Sequence, residues 1–372
     1  MGERFRFKMD PKFIEYYDRR IQQVFLYLID ECQLNCVQCL YKLENNFNIG
    51  RNCIEVDQAL YLIEDFYELG ARKLTLMGGE PTLYGLSSGR IPLFRLIDKA
   101  KDLGYEYVRI DTNGQFERSL LSEPAMRRLD EITFSLDGPS AEINDMLRGK
   151  GSFDKAVDNI RRAVDAGYNV DVTCCIHRQL IKRDGNNRMH IEEMVYFVHS
   201  LGIMRLNFHD LFKGGIPRDY WTGDLDISVD EWFHVWAELQ AKIEKGAFPI
   251  PIRIPQSFVS EEEFQENPEY FGYCSVKTAD RALVHPNGII RACSLMIGTP
   301  YGIASYFGDS IAWNYGYTNE SLEHVFDKCT ACTNQAKNRS YGSFLPLCVS
   351  FKPRQNEFVW NLKLRWEKRG IE

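Results

Sequence analysis

Cys32, Cys36 and Cys39 fall in one short segment, Cys-Gln-Leu-Asn-Cys-Val-Gln-Cys. Three thiolates so close together can converge on one metal centre. A structural zinc site calls for four ligands in a closed shell. No fourth cysteine or histidine lies close by, and Cys53 is the nearest in the chain. Three cysteines on an iron–sulfur cubane would instead leave one iron open to an external ligand, which catalysis needs. Spacing alone leaves zinc and iron–sulfur both open.

A second group of thiols lies near the other end of the chain. Cys274, Cys293 and the pair Cys329-Thr-Ala-Cys332 supply four, and Cys348 is a fifth. A hairpin over 283–291, with Asn287-Gly288 as its turn, separates Cys274 from Cys293. The chain has 11 cysteines, many for a compartment where disulfides are disfavoured. Two groups of cysteines predict two metal sites, with Cys53, Cys174 and Cys175 standing apart. Four thiolates at the second site suit a structural zinc as well as an iron–sulfur cluster.

These residues need a scaffold. Short β-rich runs over 24–29, 73–77, 107–111, 131–136, 170–176 and 204–209 alternate with helical patterns over 56–69, 91–103, 120–129, 153–166 and 190–201. The pattern over 153–166 is the clearest, with Ser152 as its N-cap and Gly167 as its stop. Strands alternating with helices predict an α/β fold with a parallel sheet or an incomplete barrel. In strand after strand one face is polar: Thr133, Ser135, Asp137; Asp171, Thr173, Cys175, His177; Arg205, Asn207, His209. Helices would cover the apolar faces, and the polar faces would line a cavity. The intervening helices argue against an antiparallel sheet with one wet face.

With 372 residues, 44% of them hydrophobic, the chain can bury a sizeable core and carry one large domain plus a smaller one. The expected boundaries are an extension over 1–21, a barrel over 22–212, a bridging helix and Pro-rich linker over 213–255, and a cysteine-bearing region over 256–372. The net charge is −7 and no long basic stretch occurs, so no nucleic-acid partner is expected. The start is polar and no apolar run approaches the roughly 18 residues of a spanning helix, which predicts a cytoplasmic protein with no membrane partner.

The cysteine loop after the first strand is followed by Gly78-Gly79-Glu80-Pro81 after the second. Asp111-Thr112-Asn113-Gly114 follows the third, then Phe134-Ser135-Leu136-Asp137-Gly138-Pro139, Arg148-Gly149 and Ser152-Phe153. In this order the motifs resemble the radical S-adenosylmethionine (SAM) superfamily over about residues 22–210. The resemblance implies a partial (β/α)6 barrel and a [4Fe-4S] cluster on Cys32, Cys36 and Cys39. SAM would chelate the open iron. Glu80 and the Gly78–Gly79 backbone would hold its amino group, Ser135 the ribose, and Arg148 the ribose or the carboxylate. Asn113 is counted with these contacts. Read without the resemblance, Glu80 is a helix-capping carboxylate and Arg148 a solvated charge. Gln38 departs from the family, which usually has an aromatic there near the adenine; Tyr41 stands as its substitute.

The later cysteines are similar to the twitch and SPASM extensions of the same family, and too few for the full SPASM set. The resemblance therefore implies one auxiliary [4Fe-4S] cluster on Cys274, Cys293, Cys329 and Cys332, with Cys348 an alternative ligand. It implies reductive cleavage of SAM, with electrons from flavodoxin or ferredoxin, and hydrogen abstraction from a substrate C–H bond. Relatives with this extension modify peptides by crosslinking, oxidation or epimerisation, and that is the expected function. The alternative is a small-molecule oxidoreductase acting on a sugar, aminocyclitol or other natural-product intermediate. A zinc-stabilised binding protein is the third, non-catalytic reading. Cys175, on the polar face of its strand, is the candidate hydrogen donor that an epimerase requires, and the alternative is a small buried thiol. His177, Asn207 and His209 share that face, Asp210 is a further candidate base, and 212–221 is a candidate substrate loop.

Overall fold

The computed structural model describes residues 8–9, 21–39, 52–210, 223, 225–254, 258–260, 280–294, 302–308, 310–313 and 344–346. Tyr41, Cys274, Cys329, Cys332, Cys348 and the loop 212–221 lie outside them, and so does the side chain of Asp210. The strands are β1 (Lys8–Met9), β2 (Gln23–Tyr27), β3 (Lys73–Met77), β4 (Tyr107–Thr112), β5 (Glu131–Ser135), β6 (Val170–Ile176), β7 (Leu206–Asp210) and β8 (Ile252–Arg253). They continue with β9 (Phe258–Ser260), β10 (Arg281–Val284), β11 (Ile289–Arg291), β12 (Ala304–Phe307), β13 (Ser310–Trp313) and β14 (Phe344–Pro346). The α-helices are α1 (Val56–Glu68), α2 (Ile91–Leu103), α3 (Ala141–Arg148), α4 (Ser152–Asp165), α5 (Arg178–Ile181), α6 (His190–Ser200) and α7 (Val229–Glu244).

Strands β2 to β7 pair in sequence order, each parallel to the next. This is the expected six-stranded partial barrel. It is open rather than closed, and it grows at both edges. β8 adds in parallel beside β7, and β10 adds in parallel beside β2. β8 is two residues long because Pro251 and Pro255 flank it, and proline cannot donate to a ladder. β10 leads into an antiparallel run through β11, β12 and β13, and β1 pairs with β13. The hairpin over 283–291 is therefore present, and its first strand extends the barrel wall.

The two strand faces separate as their alternation requires. Outward, Leu74, Leu76, Val108, Ile110, Ile132, Phe134, Val172, Cys174 and Leu206 are fully buried. They meet Leu62 and Phe66 of α1, Leu96 and Ile97 of α2, Ile160 of α4, and Met194 and Val198 of α6 in one core. Each such side chain contributes about 1.5–3 kcal/mol by leaving water. Inward, the barrel floor is ionic: Arg109 pairs with Asp111 at 3.0 Å, and Arg205 pairs with Asp171 and, at 3.4 Å, with Glu131. Thr133 Oγ1 also donates to Glu131 at 3.1 Å.

Two local expectations change. The helix read over 120–129 is a pair of 3₁₀ turns, Arg118–Ser122 and Ala125–Arg128. Pro124 lies between them; it lacks an N–H and forces Glu123 into an extended conformation. At the head of α4 the cap residue is Gly151, at φ +82°, and Ser152 is inside the helix. Asp145 of α3 does the capping from outside, accepting from Gly151 N at 2.6 Å and Phe153 N at 2.9 Å. Gly167, at φ +81°, follows the end of the helix as expected.

Candidate active site

The cysteine loop leaves the end of β2 and is fastened at several points. Gly79 N donates to Ile29 O at 2.5 Å and Glu80 N to Glu31 O at 2.8 Å. This close seating requires the glycines. A Cβ on Gly78 would stand 2.6 Å from the Ile29 carbonyl, and one on Gly79 would strike the carbonyls of Asp30 and Glu31. On the other side Val37 N donates to Leu147 O of α3 at 2.8 Å, and Gln38 Nε2 donates to Asp137 Oδ2 at 2.6 Å. Cys32, Cys36 and Cys39 are all half-buried. Cys32 Sγ accepts from Leu34 N and from Asn113 Nδ2, each at 3.4 Å. Cys36 Sγ lies 4.0 Å from the carbonyl of Arg148. Burial pushes the Cys32 thiol up to about 12, only partly offset by the Leu34 N–H, so a metal's charge would be needed to make it a thiolate near neutral pH. Among the described residues no three His, Cys, Asp or Glu side chains close around a single metal ion.

Glu80 is buried, and four donors meet its carboxylate. Oε1 accepts from Thr82 N at 3.1 Å, Thr82 Oγ1 at 2.7 Å and Thr112 Oγ1 at 2.7 Å, and Oε2 accepts from Asn113 N at 2.8 Å. Burial raises its pKa against the pull of these donors. Glu80 thus caps the 3₁₀ turn Pro81–Leu83 and also ties the end of β3 to the end of β4. Three of these bonds fall on Oε1 and one on Oε2, so Oε1 is fully used within the protein while Oε2 keeps an acceptor site. Ser135 ends β5 and is half-buried. Arg148 is not a solvated charge: it is largely buried, and its Nε stands 2.6 Å from Asp137 Oδ2.

The sequence places Asp137 in a motif and on a polar strand face; in the structure it joins four elements. It is fully buried just past β5. Oδ2 meets Gln38 and Arg148, Oδ1 accepts from Cys175 N at 2.7 Å, and its own N donates to Asn144 Oδ1 at 2.9 Å. His177 Nε2 donates to its carbonyl at 2.9 Å. Its position on the polar face, two residues beyond Ser135, was the available signal. Its partners were not readable, because they come from the cysteine loop, α3 and β6.

Cys175 faces the barrel interior beside Asp137, half-buried, whereas Cys174 faces outward and is fully buried. Burial and then the Asp137 carboxylate push the Cys175 thiol well up, so it holds its proton. His209, exposed on the inner face at the end of β7, is lowered to about 4 by desolvation and then by Arg253 and Arg109. It is therefore neutral near pH 7. Cys293 is half-buried beyond β11, and the hairpin that carries it places His285 against Tyr27, with ring centroids 4.5 Å apart.

His177 predicts a pH effect. Burial holds its pKa below the usual 6.5. As pH falls, the unfolded chain takes up this proton before the folded one, so stability present above about pH 6.5 is lost below it. The drop in unfolding temperature between about pH 7.5 and 5.5 should be smaller in His177→Gln than in wild type. Equal drops would show that His177 is not the group involved.

The profile of the radical SAM superfamily matches residues 26–195. The chain carries a radical SAM domain. Enzymes of this family use a [4Fe-4S] cluster and SAM, and the matched span holds the whole cysteine loop together with Gly78–Glu80, Asn113, Asp137 and Arg148. The chain is similar to a "Probable GTP 3',8-cyclase" of Saccharolobus solfataricus, 26% identical over 249 residues, which cover 67% of this chain and 76% of that one. In fold the chain is similar to Streptococcus suis SuiB bound to precursor peptide SuiA, with TM-score 0.60, 15% identity and coverage of 87% and 69%. It is also similar to anSMEcpe with bound AdoMet, with TM-score 0.58, 15% identity and coverage of 93% and 96%. Among the described residues no helix is long and apolar enough to cross a membrane.

Proposed function

We propose that this radical SAM enzyme is an oxidoreductase that abstracts a hydrogen atom from a C–H bond of a peptide. Cys32, Cys36 and Cys39 would hold the [4Fe-4S] cluster, and the residues around them fit it: three half-buried thiols on a loop seated against two glycines. Cluster and SAM together supply reductive C–S cleavage and the hydrogen-abstracting species. The Gly78–Gly79 backbone would meet the SAM amino group, with Glu80 holding that loop and the Asn113 turn in place. Ser135, at the end of β5, would reach the ribose, and Arg148, at the end of α3, the ribose or the carboxylate. Gln38 Oε1 is buried without a hydrogen-bond partner, an acceptor available to a bound ligand. Cys293, with Cys274, Cys329 and Cys332, and Cys348 as an alternative, would hold an auxiliary cluster in the region 256–372. Flavodoxin or ferredoxin would deliver the electron, in the cytoplasm.

One observation carries the peptide reading: the two arginines of the barrel floor, Arg109 and Arg205, are already neutralised, although Arg253, in register with Asn207, adds a cation on the same face. Arg109 pairs with Asp111, and Arg205 with Asp171 and Glu131. A triphosphate needs uncompensated cations, whereas an uncharged peptide segment needs hydrogen-bonding walls, which Thr173, Asn207 and neutral His209 provide. The likeness in fold to SuiB with its precursor peptide, and to anSMEcpe with a bound Kp18Cys peptide, points the same way. A second reading, a small-molecule substrate, is favoured by the GTP 3',8-cyclase names of the sequence relatives. Within the peptide reading Cys175, its thiol protonated, is the hydrogen donor to the substrate radical.

The test uses reduced, reconstituted enzyme with SAM and deuterated peptides made from any short reading frame found beside its gene, with GTP as the competing probe. Deuterium should pass into 5′-deoxyadenosine with the peptide. Stimulation by GTP alone would overturn the peptide reading. In the same assay Cys175→Ala should still release 5′-deoxyadenosine yet form no epimerised product; full product would remove the donor role.

A further inference from the structure

Asn113 follows β4, and both ends of its side chain are accounted for. Its Oδ1 accepts from Gln115 N at 2.9 Å, closing a turn. An amide whose oxygen is held this way must turn its nitrogen the other way. That nitrogen carries two N–H donors. It lies 3.4 Å from Cys32 Sγ and also 3.4 Å from Gln33 Oε1, which shares it. The backbone is held as firmly, since Asn113 N donates to the buried Glu80 carboxylate at 2.8 Å. Asn113 is itself largely buried, 8% exposed. A neutral donor fixed on a sulfur and shielded from water acts on whatever charge that sulfur carries.

We propose that Asn113 is a positioning residue that sets the reduction potential of the cluster through an N–H···S hydrogen bond to Cys32. The inference rests on the cluster assignment proposed above and deepens it. The reduced cluster carries one more negative charge than the oxidised one, and part of that charge resides on the ligand sulfurs. A donor aimed at Cys32 Sγ therefore favours the reduced form and raises the potential. Leu34 N adds a second donor to the same sulfur, at 3.4 Å. Cys32 thus receives one donor from its own loop and one from the end of β4, so its electronics depend on how the loop docks on the barrel. Glu80 is the residue that secures this docking, because it holds Asn113 N and Thr112 Oγ1 together.

The test is an anaerobic potentiometric titration of the full, reconstituted chain. It follows the reduced-cluster EPR signal whose shape changes on adding SAM, which separates this cluster from any other. Asn113→Asp keeps the size and the turn-closing oxygen and replaces the donor nitrogen with an acceptor. Asn113→Ser keeps a turn-closing oxygen but cannot reach the sulfur. Both variants should lower the ratio of reduced to oxidised cluster at fixed potential about tenfold, or about 59 mV for a one-electron couple. An unchanged midpoint in both, with the SAM-responsive signal intact, overturns the proposal. A loss of SAM affinity at unchanged midpoint also overturns it and makes Asn113 a SAM contact instead. The absence of a SAM-responsive signal in wild type would strike the cluster assignment itself, and the proposal with it.

Discussion

Cys36→Ala is expected to remove the brown charge-transfer absorbance of the reconstituted protein and to cut 5′-deoxyadenosine release by more than about a hundredfold. Loss of an outer-shell partner typically costs 10–100-fold, and loss of a direct ligand costs more. Cys36 is the informative member of the three, because its sulfur sits between the cysteine loop and the end of α3, 4.0 Å from the Arg148 carbonyl. The fold should survive, since the neighbouring loop bonds from Val37 and Gln38 do not involve the sulfur. Iron and sulfide content, measured with SAM cleavage on the same preparation, checks this. Wild-type iron content and wild-type cleavage in the variant would show that these cysteines do not hold the working cluster.

Asp137→Ala is expected to be the most destabilising single change near the site. The substitution leaves the Arg148 guanidinium buried without its carboxylate, and removes the acceptors for Gln38 Nε2 and Cys175 N. Breaking a buried ion pair from one side costs about 3–5 kcal/mol. At roughly 2–4 °C per kcal/mol for a domain of this general size, the unfolding temperature should fall by about ten degrees. Asp137→Asn keeps the shape and the acceptor for Cys175 N, so its loss should be smaller. Thermal unfolding of both variants decides the matter. A midpoint within about one degree of wild type in Asp137→Ala would mean that the buried network contributes no net stability.

Much of the scaffold could be read from spacing. The six central strands and the helices over 56–69, 91–103, 153–166 and 190–201 all appear within a residue or two of their expected ends. They were readable because alternation and helical periodicity report which face of an element meets the core. The same logic separated Cys174 from Cys175. It failed over 120–129, where apolar spacing suggested a helix that Pro124 interrupts. It did not reveal β8, whose two residues become a strand only because β7 offers a free edge, nor that the first strand of the 283–291 hairpin would pair with β2.

By itself the chain sequence determined the three-cysteine loop, the order of strands and helices, and a polar inner face. All of these follow from neighbours a few residues apart. The tertiary structure decided which side chains meet: Asp137 with Gln38 and Arg148, Asn113 with the Cys32 sulfur, Arg205 with Asp171. Those partners are separated by between 11 and 99 residues in the chain. Their meeting depends on the register and packing of whole strands, which no local pattern encodes.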